Sequence, residues 1–358
     1  MLKHNIFTVK LSRVIKNLFI FLLVTAGFFA GGNFTLSLVG KSTPLFASSA
    51  ISAASEKSFF ESIFGQSAIL YSVIPITRAA APPSPTSTPH IAEEPAPLRP
   101  PKEISMTVSN AEGYKPEGGI YVTNDSGYSF DLGALLNESL SIEKESPAVL
   151  IIHTHTSEAY TPTENYMYQE SDPYRTENPE FNITLTGEKI AETLTARGIG
   201  VIHDTTSHDY PSYSGSYRRA METIEKHLAE NPSIRFVLDI HRDAIPDTDG
   251  SYLKTTAEVH GKKCAQVMVV VGTDRGGLEH PDWIKNLQAG LKLQRAIVNK
   301  YPGLARPLHL REERFNGHTS HGALLIEVGS NSNTMDEALI SAKLLGECIA
   351  DMIDSETY

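Results

Sequence analysis

The stretch that decides the fold reads Ile234-Arg-Phe-Val-Leu-Asp-Ile-His241 and continues into Arg242-Asp243. A short, largely apolar run that ends in polar residues is typical of a buried strand whose carboxyl end reaches a functional edge. Comparable runs recur on both sides of it, and helical patterns fit between them. The predicted strands are Ala148–His153, Gly200–His203, Ile234–Ile240, Ala265–Val271 and Ala323–Val328, and the predicted helices are Thr184–Arg197, Ser214–Glu230, Pro281–Lys300 and Met335–Ile353. This alternation predicts an α/β domain with a mostly parallel sheet flanked by helices.

Composition excludes several classes of protein. The chain has 358 residues and a net charge of −11, with no lysine- or arginine-rich run beyond its N-terminus. Binding of nucleic acid is therefore not expected. The two cysteines, Cys264 and Cys348, cannot build a disulfide framework or a cysteine-based zinc site.

Residues 1–41 have the pattern of a membrane-targeting segment. The first 55 residues contain no Asp or Glu, and residues 17–40 are uncharged. The basic residues that precede this stretch are Lys3, Lys10, Arg13 and Lys16. We interpret residues 1–41 as a cytoplasmic tail and an uncleaved single-pass anchor rather than a cleaved signal. The charge asymmetry places the rest of the chain outside the cytoplasm.

Four segments follow the anchor. Residues 42–78 carry an apolar cluster at helical spacing, which fits a membrane-surface helix or an ordinary packing helix equally well. Residues 79–104 are proline-rich and predict a stiff linker. Residues 105–146 form a small N-terminal collar, and residues 147–358 form the α/β domain. Two strands are predicted in the collar, Gly119–Val122 and Tyr128–Leu132.

Polar residues cluster where three predicted strands end. His153-Thr-His-Thr-Ser-Glu158 follows the first strand, Asp239-Ile-His-Arg-Asp243 ends the third, and Glu327 lies within the last. Because the carboxyl ends of parallel strands share one edge of a sheet, where ligands bind, we expect these side chains to meet. Their convergence favours a functional site over a set of unrelated core histidines.

Imidazole and carboxylate groups in this number are typical of a catalytic zinc site with three protein ligands. We choose His155, Glu158 and His241 as the ligands. His153 and His155 are expected to face the same side of a continuing strand, so His153 is a rival ligand, or else a residue that lines the site or orients a ligand. Glu180, just before a predicted helix, is the rival carboxylate.

Glu327 is the candidate general acid and base. It follows apolar residues, so burial is expected to raise its pKa into a useful range. The alternative is that Glu327 only pairs with an arginine such as Arg242. Arg242 is otherwise expected to support His241 from behind.

Several motifs, in order, resemble the stage II sporulation protein P family. They are Val149-Leu-Ile-Ile-His-Thr-His-Thr-Ser-Glu-Ala-Tyr160, Gly198-Ile-Gly-Val-Ile-His-Asp204, Val237-Leu-Asp-Ile-His-Arg-Asp-Ala244, Tyr301-Pro-Gly-Leu304 and Gly322-Ala-Leu-Leu-Ile-Glu-Val-Gly329. The resemblance covers the chain from about Gly119 to its C-terminus. One segment departs from it: Phe315-Asn-Gly-His318 stands where the family tends to carry a Tyr-Asn-Gln-type sequence.

The resemblance implies a fold of the amidase-3 type and a zinc-dependent N-acetylmuramoyl-L-alanine amidase that acts on peptidoglycan during engulfment in sporulation. Such proteins are also described as cutting stem-peptide cross-links. It further implies stage II sporulation proteins D and M as partners, a location in the cell membrane with the catalytic domain outside, and active-site roles for the two-histidine motif, His241 and Glu327.

Two other functions compete with this one. An amidohydrolase barrel also places a His-x-His at the end of its first strand, but an eightfold barrel typically needs ~250 residues and more strand–helix units than this chain offers. A non-catalytic, membrane-anchored module that binds the cell wall is equally compatible with the anchor and the linker. A zinc assay separates the binding module from the enzyme.

Overall fold

The computed structural model describes residues 100–106, 118–140, 142 and 148–357. The predicted anchor, the 42–78 segment and nearly all of the predicted linker lie outside the described residues. Within the described ranges, no helix has the length and apolar character needed to cross a membrane.

A seven-stranded sheet forms the centre of the fold, in the order β2-β9-β8-β10-β5-β3-β4. The strands are β2 (Val122–Asn124), β3 (Val149–Ile152), β4 (Val201–His203), β5 (Phe236–Asp243), β8 (Val267–Val271), β9 (Leu308–Leu310) and β10 (Gly322–Ser330). The five strands predicted for the domain are all present. The sheet is mixed rather than mostly parallel, because β8 pairs antiparallel with β10 while the other pairings are parallel. The sequence patterns did not show this reversal.

A smaller sheet explains why β8 runs backwards. It has the order β1-β6-β7, with β1 (Lys102–Ile104), β6 (Leu253–Val259) and β7 (Lys262–Ala265). β6 and β7 form an antiparallel hairpin, and the chain enters β8 directly from β7 without a crossover helix. Both turn residues of the hairpin, His260 and Gly261, have positive φ angles. β1 pairs parallel with β6, so the last residues of the predicted linker belong to a strand.

The predicted helices of the α/β domain are present within a few residues of their expected ends. The helices are α1 (Leu132–Asn137), α2 (Thr184–Ala196), α3 (Ser216–Glu230), α4 (Trp283–Lys300) and α5 (Met335–Glu356), and Gly317–Thr319 forms a 3-10 helix. α5 continues past its predicted end at Ile353, and the Thr334 side chain and Glu337 form a capping box at its start.

The second strand predicted in the collar is wrong. β2 pairs with β9 at the edge of the main sheet rather than with a neighbouring strand. The chain then enters α1, because the Asp131 side chain accepts a hydrogen bond from Ala134 N and caps the helix.

The two faces of the main sheet are covered differently. On one face, alternating residues such as Ile240, Ile326 and Val269 belong to the large buried core that includes α2, α4 and α5. On the opposite face, α3 packs through Ile224 on residues of β3 and β5. Over β8 and β10 this face is covered by Phe315 rather than by α3, and Phe315 packs on a small separate cluster.

Candidate active site

Four of the predicted site residues lie together at the carboxyl edge of β3, β5 and β10. Glu327 and His241 are register partners on β10 and β5, so their side chains lie side by side. The rings of His155 and His241 have their centroids 5.3 Å apart. Glu158 Oε2 lies 3.4 Å from His241 Nδ1. The expectation that the three strand ends converge is met by the folded chain.

Glu158 is buried and held by two arginines. The backbone N–H of Arg242 donates to Glu158 Oε2 at 3.1 Å, and Arg175 Nη2 lies 3.6 Å from Oε1. Burial would raise the pKa of Glu158, but the guanidinium of Arg242, together with His241 and Arg175, holds that pKa well below its usual range. Glu158 is therefore an ionised carboxylate. The same contacts show that Arg242 lies beside Glu158 and supports it. The alternative considered from the sequence was that Arg242 pairs with Glu327, and the structure does not show that pairing among the described residues.

His241 lies between two carboxylates. Its Nδ1 faces Glu158, and its Nε2 lies 2.9 Å from Asp239 Oδ1. Nε2 nevertheless has no hydrogen-bond partner of acceptable geometry among the described residues. Burial would lower the pKa of His241, but Asp239 and Glu158 raise it well above its usual range. Asp239 is fixed in turn by Thr154, whose N and Oγ1 donate to it at 2.8 and 2.6 Å.

His155 is enclosed by aromatic rings that sequence reasoning missed. Tyr213 stacks on the imidazole at 4.3 Å between centroids, and Tyr217 meets it edge-on at 5.5 Å. Ser216 Oγ lies 3.3 Å from His155 Nδ1. Burial lowers the pKa of His155 to about 3. The ring is thus neutral, whereas His241 would have to lose a proton before it could bind a metal ion.

Glu327 has the electrostatic character expected of a proton carrier. Burial and the Asp243 carboxylate raise its pKa to about 8. Its Oε2 atom is buried and has no hydrogen-bond partner within the described part of the chain. A β-bulge follows at once, since the register of β10 with β5 shifts between Glu327 and Ser330. The carboxyl group thus lies where β5 and β10 end, next to His241.

His153 does not share the side of the sheet occupied by His155, and that expectation is corrected. β3 ends at Ile152, one residue before the predicted end, and the chain then turns, so the alternation of a continuing strand does not apply. His153 Nδ1 lies 3.0 Å from Ile240 O, and its Nε2 lies 3.0 Å from His203 Nε2. It supports the backbone next to His241 instead of lining the cleft.

The rival carboxylate, Glu180, is solvent-exposed, whereas Glu158 is 5% exposed and contacts His241. His208, another histidine near the site, is buried, with its ring nitrogens 2.8 Å from His153 O and 2.9 Å from Thr223 Oγ1. The geometry therefore favours Glu158 as a ligand and a structural role for His208.

The donor set matches zinc in chemistry. His155, Glu158 and His241 supply two imidazoles and an ionised carboxylate, which are ligand types that zinc accepts. In the described ranges, no three His, Cys, Asp or Glu side chains are arranged around a common point that could hold an ion. Binding would require these side chains to exchange their mutual contacts for bonds to the metal.

The fold and the site define an α/β protein with a mixed sheet and a buried cluster of histidines and carboxylates at one edge. The family model described as "Stage II sporulation protein P (SpoIIP)" matches residues 86–350, and the chain belongs to this family. The curated stage II sporulation protein P of Bacillus subtilis (strain 168) is 27% identical over 219 residues, which cover 58% of this chain and 51% of that protein. The chain thus spans about half the length of that relative.

Solved structures with a similar arrangement include two from clostridia. An N-acetylmuramoyl-L-alanine amidase from Clostridium difficile 630 is 17% identical, with a TM-score of 0.34, over 59% of this chain and 97% of that one. The CwlD amidase from Clostridioides difficile, in complex with the GerS lipoprotein, is 11% identical, with a TM-score of 0.37, over 58% of this chain and 98% of that one.

Proposed function

We propose that this chain is a zinc-dependent N-acetylmuramoyl-L-alanine amidase. Its substrate would be the amide that joins the lactyl group of N-acetylmuramic acid to L-alanine in peptidoglycan. The observation that carries the proposal is the meeting of His155, Glu158 and His241 beside the unpaired carboxyl of Glu327. Membership of the stage II sporulation protein P family supports a role in sporulation.

The roles follow from the geometry. His155, Glu158 and His241 would hold the zinc ion, which when bound acidifies its water and polarises the amide carbonyl. Glu327 accepts the proton of the attacking water and gives it to the leaving amine, for which a pKa of about 8 is well suited. Arg175 and Arg242 keep Glu158 ionised and in place, and Tyr213 fixes the plane of the His155 ring.

The setting of the reaction is part of the proposal. Residues 1–41 would anchor the protein in the cell membrane by a single span, with the catalytic domain facing the cell wall. Engulfment would be the stage of sporulation at which it acts, with stage II sporulation proteins D and M as partners. Cleavage of stem-peptide cross-links is a second activity that the family resemblance suggests.

The test uses the full chain in detergent with purified peptidoglycan. We expect release of peptides that begin with L-alanine, loss of release on treatment with a zinc chelator, and recovery when zinc is restored. Release that persists without metal, or new amino termini at other bonds only, would contradict the proposal. Absence of both zinc and release, with retention on sedimented peptidoglycan, would favour the non-catalytic binding module.

A further inference from the structure

Two arginines lie beside Glu158, yet neither guanidinium binds its carboxylate directly. Arg175 Nη2 lies 3.6 Å from Glu158 Oε1, and Arg242 Nη1 lies 3.8 Å from the same oxygen. Both distances are longer than a hydrogen bond. A buried guanidinium and carboxylate normally close to short, paired hydrogen bonds, so other contacts must hold the two arginines back.

Backbone carbonyls hold Arg242. Its Nε donates to Ala159 O at 3.0 Å, and its Nη2 donates to Tyr174 O at 3.0 Å. The same two residues are joined by a hydrogen bond from Ala159 N to Tyr174 O at 2.9 Å. The position of the Arg242 guanidinium is therefore fixed by the main chain next to Glu158.

Side chains, by contrast, hold Arg175. Its Nη1 donates to Ser157 Oγ at 2.9 Å and to Asp209 Oδ2 at 3.1 Å. Asp209 lies in the loop between β4 and α3, and its side chain is only 2% exposed. Ser157 fixes this carboxylate by donating to Oδ2 from its Oγ at 2.6 Å and from its backbone N at 3.1 Å. One buried acid thus receives the charge of Arg175 and sets the direction of its side chain.

The main chain of Arg175 is held opposite Glu158. The two residues form an isolated antiparallel β-bridge. The guanidinium carbon of Arg175 also lies 4.8 Å from the ring centroid of Tyr213, the ring that stacks on His155. Arg175 therefore contacts the immediate surroundings of two proposed ligands, and the direction of its side chain decides how closely it approaches Glu158.

Removing the charge of Asp209 would change the partner of Arg175. A buried cation that loses its counter-charge is strongly unfavourable, and the Glu158 carboxylate already lies 3.6 Å from the guanidinium. A small rotation of the arginine side chain would bring the two groups into hydrogen-bond contact. Glu158 would then give its oxygens to Arg175, and a metal ion would have to displace the arginine in order to bind.

We propose that Asp209 is a positioning residue of the metal site, because it holds Arg175 at a distance from which the arginine stabilises the charge of Glu158 without occupying the carboxylate. The inference rests on the proposed zinc-dependent function and adds to it a residue that acts on a ligand only through another side chain. Without the charge of Asp209, the same arginine would compete with the ion for Glu158.

The experiment measures the zinc affinity of the full chain in detergent by competition with a chromophoric chelator. Asp209→Asn should weaken zinc binding by ~10–100-fold, the range for losing an outer partner of a metal ligand. Adding Arg175→Met to this variant should restore the affinity of the wild type, because the competing cation is gone. Asp204→Asn is the matched control, since Asp204 lies in the same loop but pairs with His227 at 2.7 Å, and it should bind zinc as the wild type does. A double variant as weak as Asp209→Asn, or an unchanged affinity in Asp209→Asn, would overturn the inference.

Two further measurements keep the outcomes distinct. Arg175→Met alone should bind zinc at least as tightly as the wild type, and a loss of affinity there would overturn the inference even if Asp209→Asn failed to fold. Nitrogen-15 NMR of the Arg175 guanidinium identifies its partner without metal, and Glu158→Gln should shift that signal far more in the Asp209→Asn background than in the wild type. Zinc binding without this exchange of partners would overturn the role of Asp209 but not the amidase. The exchange of partners in a chain that binds no zinc would overturn the zinc-dependent amidase but not the control of Arg175 by Asp209.

Discussion

A pair of histidines lies near each end of β10, but the two pairs differ in the acidic residues around them. At the carboxyl end, His241 lies 3.4 Å from Glu158 and 2.9 Å from Asp239, and the two carboxylates raise its pKa. At the amino end, His280 and His318 have their ring centroids 6.5 Å apart.

At that amino end, neither ring nitrogen of His280 has a hydrogen-bond partner among the described residues. Burial, together with His318 and Arg314, lowers the pKa of His280 to about 4. A buried pair of histidines is therefore not in itself a reason to propose a metal site. Buried carboxylates beside them distinguish the candidate site from a merely buried pair.

The largest effect is expected for Glu327→Gln. This variant keeps the shape of the side chain but cannot carry the proton, so turnover should fall by ~10²–10⁴-fold while the zinc content stays the same. Glu279→Gln is the control at the other end of β10, because Glu279 is exposed, and its turnover should equal that of the wild type. Loss of zinc from Glu327→Gln would instead make Glu327 a ligand.

Zinc binding should depend on the histidine pair at the carboxyl end of β10 and not on the pair at its amino end. His241→Ala removes a proposed ligand, so zinc affinity should fall by more than the ~10–100-fold typical of losing an outer partner. His280→Ala should bind zinc as the wild type does. Competition with a chromophoric chelator measures the zinc dissociation constants of both variants. Equal affinities would contradict the expectation that only the pair at the carboxyl end of β10 binds zinc.

A smaller loss of metal is expected for Asp239→Asn. Asp239 approaches His241 from the side opposite to Glu158 and is itself held by Thr154. Weakening this support should lower zinc affinity by ~10–100-fold. The chelator competition used for His241→Ala measures it, with His318→Gln as the unaffected control. An unchanged affinity would show that Asp239 does not orient the His241 ring for the metal.

The smallest effect concerns acid stability. In the unfolded chain His280 would titrate near 6.5, whereas its pKa in the folded chain is about 4. Between these values the unfolded state binds a proton that the folded state does not, so stability is lost as pH falls from 6.5 towards 4. His280→Gln should therefore show a shallower decline in the midpoint of urea unfolding between pH 7 and pH 5. Parallel declines in the two proteins would contradict this.

Sequence reasoning located the site because its strand-borne residues follow a strict rule. His241 and Glu327 lie at the ends of long apolar runs, and the carboxyl ends of parallel strands share an edge. The same reasoning failed for His153. The alternation of side chains between the two faces ends where the strand ends, and β3 ends at Ile152. Beyond the last residue of a strand, the two-residue alternation no longer fixes which way a side chain points.

Other features could not be read from the sequence because distant contacts determine them. The stacking of Tyr213 on His155 depends on how the chain between β4 and α3 folds, and no local pattern specifies it. The direction of β8 depends on the β6–β7 hairpin, which was not among the predicted strands. The neighbour of Glu327 on β8 follows from that direction, since the antiparallel register places Met268 beside it.

The pairing of β10 with β5 has an evolutionary consequence. From Gly322 to Glu327 the two strands stay in unbroken register, and the bulge comes only afterwards, where Gly329 has a positive φ. Side chains alternate between the two faces of a strand, so inserting or deleting a single residue before Glu327 would move its carboxyl group to the other face, into the helix-packed core. An aliphatic neighbour would then take its place in the cleft. Homologous chains should thus tolerate odd-numbered length changes beyond the glycine and in the surrounding loops, but not within this span.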